Sequence, residues 1–127
     1  MALKILIADD EAHIRLLLEQ TLEDLEDEGV QFLFAENGQE ALEIIRKERP
    51  GLVFLDVMMP FLSGMAVCST VKNEWKMTDI YIALLTAKGQ DIDRHEGDAA
   101  GSDIYLTKPF DPDHIISIAR KVLTIPA

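Results

Sequence analysis

A chain of 127 residues, 48% of them apolar, is long enough for one domain around one hydrophobic core. Its single cysteine, Cys68, excludes an internal disulfide framework. Asp and Glu number 23 against 12 Lys and Arg, and the resulting net charge of −11 argues against direct nucleic-acid binding while suiting divalent cations and basic partner surfaces.

Taken in order, the apolar run 3–8 is too short for a signal peptide and reads as a first strand. Ile14, Leu17, Leu18, Leu22 and Leu25 follow helical spacing and mark the buried face of a first helix, whose acidic end at 23–28 is expected to be a solvated face. A second strand is predicted at 30–35. Asn37 can then cap a second helix, with Glu40 three residues on as its capping-box partner. The run 52–55 predicts a third strand. A third helix after Pro60 carries Met65, Cys68 and Val71, with Cys68 as a small core hydrophobe and Trp75 as packing. A fourth strand is predicted at 80–85. The stretch 88–100 predicts a weak fourth helix, mostly polar and holding Gly89 and Gly97, whose low intrinsic stability is compatible with a moving part. A fifth strand at 104–106 precedes a fifth helix with the stripe Ile115, Ile116, Ala119, Val122 and Leu123. No stretch approaches the roughly 20 apolar residues that span a bilayer, so a cytoplasmic protein without a membrane segment is expected. The chain ends soon after the fifth helix, and a single domain over 1–127 is expected.

Strict β-α alternation with nearly continuous apolar strands predicts a parallel sheet covered on both faces, an α/β fold of three layers. Ligands of such sheets bind beyond the carboxyl ends of the strands. Strand one ends in Asp9-Asp10-Glu11, strand three in Asp56, strand four in Thr86-Ala87 and strand five in Thr107-Lys108-Pro109. Taken singly, Asp9 and Asp10 suit a helix cap, Asp56 a loop carboxylate, Thr86 a strand end and Lys108 a solvated cation. Together they supply one phosphoryl-transfer site. Crowded carboxylates call for a hard cation, Mg²⁺ rather than zinc; one carboxylate serves as nucleophile; and Lys108 and the Thr86 hydroxyl neutralise the phosphoryl oxygens. No histidine is required, and His13, His95 and His114 fall at no strand end.

The motifs Ile7-Ala8-Asp9-Asp10-Glu11, Ala35-Glu36-Asn37-Gly38-Gln39-Glu40-Ala41-Leu42, Leu55-Asp56-Val57-Met58-Met59-Pro60, Leu85-Thr86-Ala87 and Tyr105-Leu106-Thr107-Lys108-Pro109-Phe110, in this order and spacing, resemble the response-regulator receiver domain of two-component signalling. The resemblance implies a flavodoxin-like (βα)₅ fold with strand order 2-1-3-4-5. It implies that Asp56 is the phosphoacceptor for a histidine kinase or histidine phosphotransfer protein. It implies Mg²⁺ held by Asp10, Asp56 and the Met58 backbone carbonyl, with Asp9 assisting through water. Thr86 and Lys108 would contact the phosphoryl group, Tyr105 would be the aromatic switch moving with Thr86, and the Lys108–Pro109 bond would be cis. The output would pass through the surface of helix four, strand five and helix five to a downstream partner or output domain, the surface that a phosphorylation-dependent dimer would also use. One departure is the run Phe61-Leu62-Ser63-Gly64, where the family often has an apolar residue, Asp and Gly; Ser63 can still cap the third helix.

Two rivals fit less well. An aspartyl phosphohydrolase typically has a second carboxylate two residues after its nucleophile, where this chain has Met58, and would need a cap domain. A flavin carrier needs a hydroxyl- and glycine-rich phosphate loop after strand one, where Asp9-Asp10-Glu11 would repel phosphate. The chain is therefore expected to be a signalling phospho-switch that assists its own phosphorylation and dephosphorylation, not an enzyme with a separate substrate. Met58 and Lys88 border the expected water approach in the resembling family, and neither is an acceptor that orients water, so slow self-dephosphorylation is expected.

Overall fold

The computed structural model describes residues 3–87 and 100–125. Five parallel strands, β1 (Lys4–Ala8), β2 (Gln31–Ala35), β3 (Leu52–Asp56), β4 (Tyr81–Ala87) and β5 (Ile104–Lys108), pair in the order 2-1-3-4-5. The expected sheet order is observed. The chain steps outward from β1 to β2 and then crosses back over β1 to β3. The reversal falls between β1 and β3, where the helices on either side leave a crevice at the strands' carboxyl ends.

Alternation along each strand divides the core into two layers. Ile5 and Ile7 of β1 and Leu52 and Phe54 of β3 pack with Leu18, Leu22, Ile115 and Ala119 on one face. Leu6, Ala8, Val53 and Leu55 pack with Ala41, Ile45, Val67 and Val71 on the other. All five residues of β3 are buried, as a central parallel strand requires. Each fully buried Leu, Ile or Phe contributes roughly 1.5–3 kcal/mol of hydrophobic free energy, so the middle strand is the firmest part of the sheet. β2 departs from the expectation of two-sided burial: it is an edge strand, and Phe34 remains 37% exposed.

The helices follow from local sequence. α1 (Ala12–Leu22) lays Leu18 and Leu22 on the sheet, with Ile14 half-buried. Leu17, expected on that stripe, is 46% exposed; the i, i+4 row of 14, 18 and 22 faces the sheet and position 17 falls to its flank. The acidic run forms a 3₁₀ turn, Glu23–Glu28, in which Leu25 is buried. Its carboxylates are exposed as expected, and Glu28 accepts a hydrogen bond from Arg120 at 2.9 Å.

Asn37 caps α2 (Gly38–Glu48) by accepting from the Glu40 N–H at 2.8 Å. The Glu40 carboxylate accepts from the Glu36 N–H instead of the Asn37 N–H that the capping box predicted. Ser63 caps α3 (Gly64–Ser69) as expected, at 3.2 Å from the Ala66 N–H. α3 runs on into a π turn, Thr70–Glu74, closed by the Trp75 N–H on the Thr70 carbonyl. Trp75 packs against the core layer beneath α2 and α3 and lies under the Arg46 guanidinium.

The C-terminal helix (Pro112–Val122) has Asp111 as its cap, Pro112 in its first turn and Ile115, Ile118 and Ala119 buried. Ile118 belongs to this face although the predicted stripe omitted it, whereas Ile116 and Val122 are half-buried at its margins. The fourth helix predicted for 88–100 lies outside the described residues except for Ala100. Among the described residues, no helix is long and apolar enough to cross a membrane.

Candidate functional site

β1 delivers Asp9 to the sheet edge. Its N–H continues the ladder onto the Ala35 carbonyl at 3.1 Å, which holds the residue in strand geometry one step past β1. The Asp9 side chain is fully buried. One carboxylate oxygen accepts from the Glu11 N–H at 2.9 Å and the other from Lys108 Nζ at 2.8 Å. Asp10 and Glu11 are exposed at the mouth of the crevice.

β3 delivers Asp56 as its last residue, also buried. Gly64 lets α3 press against it: the Gly64 N–H binds the Val57 carbonyl at 2.9 Å, and a Cβ at position 64 would collide with the Asp56 carbonyl. Asp56 Oδ1 accepts from the Met58 N–H at 3.4 Å. Carboxylate oxygens of Asp9, Asp10, Glu11 and Asp56 lie within 4.8 Å of one another. β5 delivers Lys108, whose ammonium also stands 3.5 Å from Asp56 and 3.6 Å from Glu11.

The electrostatics follow from this crowding. Burial, then the charge of Asp9, push the Asp56 carboxyl up to about 7, against the opposing pull of Lys108 and the Met58 N–H. Burial alone would lower the Lys108 ammonium; the hydrogen bond and charge of Asp9, with Asp56 and Glu11, outweigh it and hold Lys108 above its ordinary range. The cluster therefore carries more negative charge than its one lysine balances, and all its side-chain donors are oxygens. That chemistry fits a hard divalent cation.

The expected residues Asp9, Asp10, Asp56 and Lys108 are thus brought together. The Thr86 hydroxyl is buried at the end of β4 but donates to the Leu106 carbonyl at 3.4 Å, so it is directed onto β5 and not toward a carboxylate. Tyr105 is half-buried against the α2–α3 core layer. Met58, two residues after Asp56, is 66% exposed. The Lys108–Pro109 bond is cis. Lys88 lies outside the described residues. Two neighbours had no assigned role in the sequence reading. Glu11 joins the carboxylate cluster. Arg15 donates to the Asp9 carbonyl at 2.6 Å and to the Glu36 carboxylate at 3.3 Å. Its position one helical turn after Glu11 was the only signal, and it is an unremarked spacing on any helix.

Sheet order and a lysine-bridged carboxylate cluster at the switch point define a flavodoxin-like domain with an acidic site at its strand ends. The family model described as the response regulator receiver domain matches residues 5–120. A probable transcriptional regulator, ycf27 of Porphyra purpurea, is 47% identical over 120 residues, covering 94% of this chain and 47% of the relative. The phosphate regulon transcriptional regulatory protein PhoB of Pseudomonas aeruginosa is 40% identical over 119 residues, covering 94% and 51%. The receiver domain of AraT, a response regulator from Geobacillus stearothermophilus, superposes with a TM-score of 0.83 at 30% identity, covering 96% of this chain and 93% of that one. This chain belongs to the response regulator receiver domain family of two-component signalling, whose general function is switching by phosphoryl transfer. It spans about half the length of the curated relatives it matches.

Proposed function

We propose that this chain is a Mg²⁺-dependent phospho-switch in which Asp56 accepts the phosphoryl group of a histidine kinase or histidine phosphotransfer protein. The observation that carries the reading is Lys108, whose ammonium stands 2.8 Å from Asp9 and 3.5 Å from Asp56 at the carboxyl edge of the sheet. A carboxylate oxygen of Asp56 attacks phosphorus, the P–N bond to the donor histidine breaks, and an aspartyl phosphate forms. Lys108 follows the charge as it moves onto the phosphoryl oxygens. Thr86 turns its hydroxyl from Leu106 to the phosphoryl group, and Tyr105 moves with it.

Asp10, Asp56 and the Met58 backbone carbonyl are the residues that would hold Mg²⁺, with Asp9 assisting through water; the all-oxygen donor set supports the assignment. When bound, Mg²⁺ supplies the positive charge that keeps Asp56 ionised and offsets the phosphoryl oxygens. The reverse half of the cycle is hydrolysis: water attacks phosphorus in line with the P–O bond, releasing inorganic phosphate and the Asp56 carboxylate. Met58 and Lys88 set its pace. The chain acts on its own side chain, so it is a switch that assists both steps and not an enzyme with a separate substrate.

We read 1–127 as one receiver unit working in the cytoplasm. The output runs through 88–100, β5 and the C-terminal helix to a partner protein, an attached domain or a second phosphorylated copy. The test is intact mass after incubation with acetyl phosphate and Mg²⁺. Wild type should gain one phosphoryl group, and Asp56→Asn should gain none; wild-type yield in Asp56→Asn would overturn the assignment.

A further inference from the structure

We propose that Arg15 is a positioning residue that sets the divalent-cation affinity of the site by fixing the Asp9–Asp10 peptide. The inference rests on the reading of the carboxylate cluster as a Mg²⁺ site.

Arg15 is on α1, and its side chain is mostly buried at 16% exposure. One nitrogen donates to the Asp9 carbonyl at 2.6 Å, the other to Glu36 Oε1 at 3.3 Å. The Asp9 carbonyl is the first beyond β1, past the point where the strand's own ladder orients it. Because a peptide unit is planar, holding this oxygen also holds the Asp10 nitrogen and Cα, the point from which the Asp10 carboxylate leaves the backbone.

The rest of Asp9 is already fixed: its N–H by Ala35 and its carboxylate by Lys108 and the Glu11 N–H. Asp10 is exposed at the mouth of the site. The hold therefore matters most for Asp10, whose aim depends on the peptide that precedes it. A planar guanidinium suits the task, since it spans two acceptors on two different strand ends at once.

Charge alone and positioning make opposite predictions. Arg15 places a cation beside four clustered carboxylates, so on Coulomb grounds its removal should tighten Mg²⁺ binding. If it orients Asp10, its removal should weaken binding, as loss of groups that orient metal ligands typically does by about 10–100-fold.

The test is Mg²⁺ titration of the metal-free full chain at constant ionic strength, followed by amide chemical shifts, for wild type, Asp10→Ala, Arg15→Met and Arg15→Lys. Wild type should bind and Asp10→Ala should lose most of its affinity; failure of either overturns the metal-site reading itself. With that control met, Arg15→Met should bind about tenfold more weakly. Arg15→Lys, which keeps the charge but reaches one acceptor, should fall between. An Arg15→Met protein that binds as tightly as wild type, or more tightly, overturns the positioning role alone. Should Arg15→Met fail to fold by circular dichroism, Arg15→Gln takes its place under the same criterion: weaker binding supports the proposal, and binding as tight as wild type or tighter rejects it.

Discussion

The Lys108 ammonium lies 2.8 Å from Asp9, the shortest of its contacts with three carboxylates. Asp9 is fully buried, so this contact offsets the desolvation of a charge that water cannot reach. Lys108→Met should therefore lower the melting temperature of the metal-free protein, with a loss of about 3 kcal/mol, the lower end for breaking a buried pair. A divalent cation can replace the missing charge, so added Mg²⁺ should raise the melting temperature more in Lys108→Met than in wild type. Equal Mg²⁺ shifts in the two proteins would show that the lysine and the cation do not share the same carboxylates.

Asp56 gives a pH dependence of unusual sign. Its folded carboxyl is pushed up to about 7, above the ordinary aspartate value that the unfolded chain restores. Between those two values the folded state holds a proton that the unfolded state has lost. Metal-free stability should thus fall as pH rises from about 4 to 7 and level off above it. Asp56→Asn removes this contribution. In EDTA its melting temperature should exceed that of wild type at pH 8, and the gap should close toward pH 5. A gap that is constant over this range would contradict the shift.

Hydrolysis should respond to Met58. The residue is 66% exposed, two positions after the proposed acceptor Asp56, and its thioether is only a weak hydrogen-bond acceptor for a water. Met58→Asn should speed loss of phosphate from the phosphorylated protein. A tenfold gain corresponds to a barrier lower by about 1.4 kcal/mol. Single-turnover phosphate release in Mg²⁺ would measure it, and an unchanged rate would remove Met58 from that role.

Asp103 anchors the start of β5. Its carboxylate accepts from the Ile82 N–H at 2.8 Å and from the buried Lys72 ammonium at 2.9 Å. Asp103→Ala should cost about 3 kcal/mol in denaturant unfolding, the low end for breaking a buried pair, because the aspartate is partly open to solvent. Lys72→Met should cost less, since the Ile82 contact survives. The reverse order would mean that the lysine's own packing, not the ion pair, holds the strand.

The fold was legible because each buried strand is a short apolar run and caps mark two of the helix starts, Asn37 at α2 and Ser63 at α3. The site was legible because parallel strands deliver their last residues to one edge, which brings Asp9, Asp56 and Lys108 together whatever the details of packing. What stayed hidden depends on tertiary direction. Nothing in the residues around Thr86 says that its hydroxyl binds the Leu106 carbonyl, because that acceptor arrives with β5. Helical spacing admitted Leu17 to the core, but the row of 14, 18 and 22 faces the sheet and leaves position 17 half-exposed on its flank. The Glu36 N–H took the Glu40 carboxylate from its expected capping partner, a choice made by where the chain enters α2. Arg15 carried no local mark of its bond to Asp9.

The two ends of the Lys108–Asp9 bond are 99 positions apart in sequence. A ribosome releases the first carboxylates long before it makes the lysine that pairs with them, and the last strand must dock before that pair exists. An unfinished or half-docked chain thus presents acidic residues without their ammonium. Charge balance in the cluster is thus coupled to docking of β5, and local opening of that strand would leave the buried Asp9 carboxylate without its ammonium.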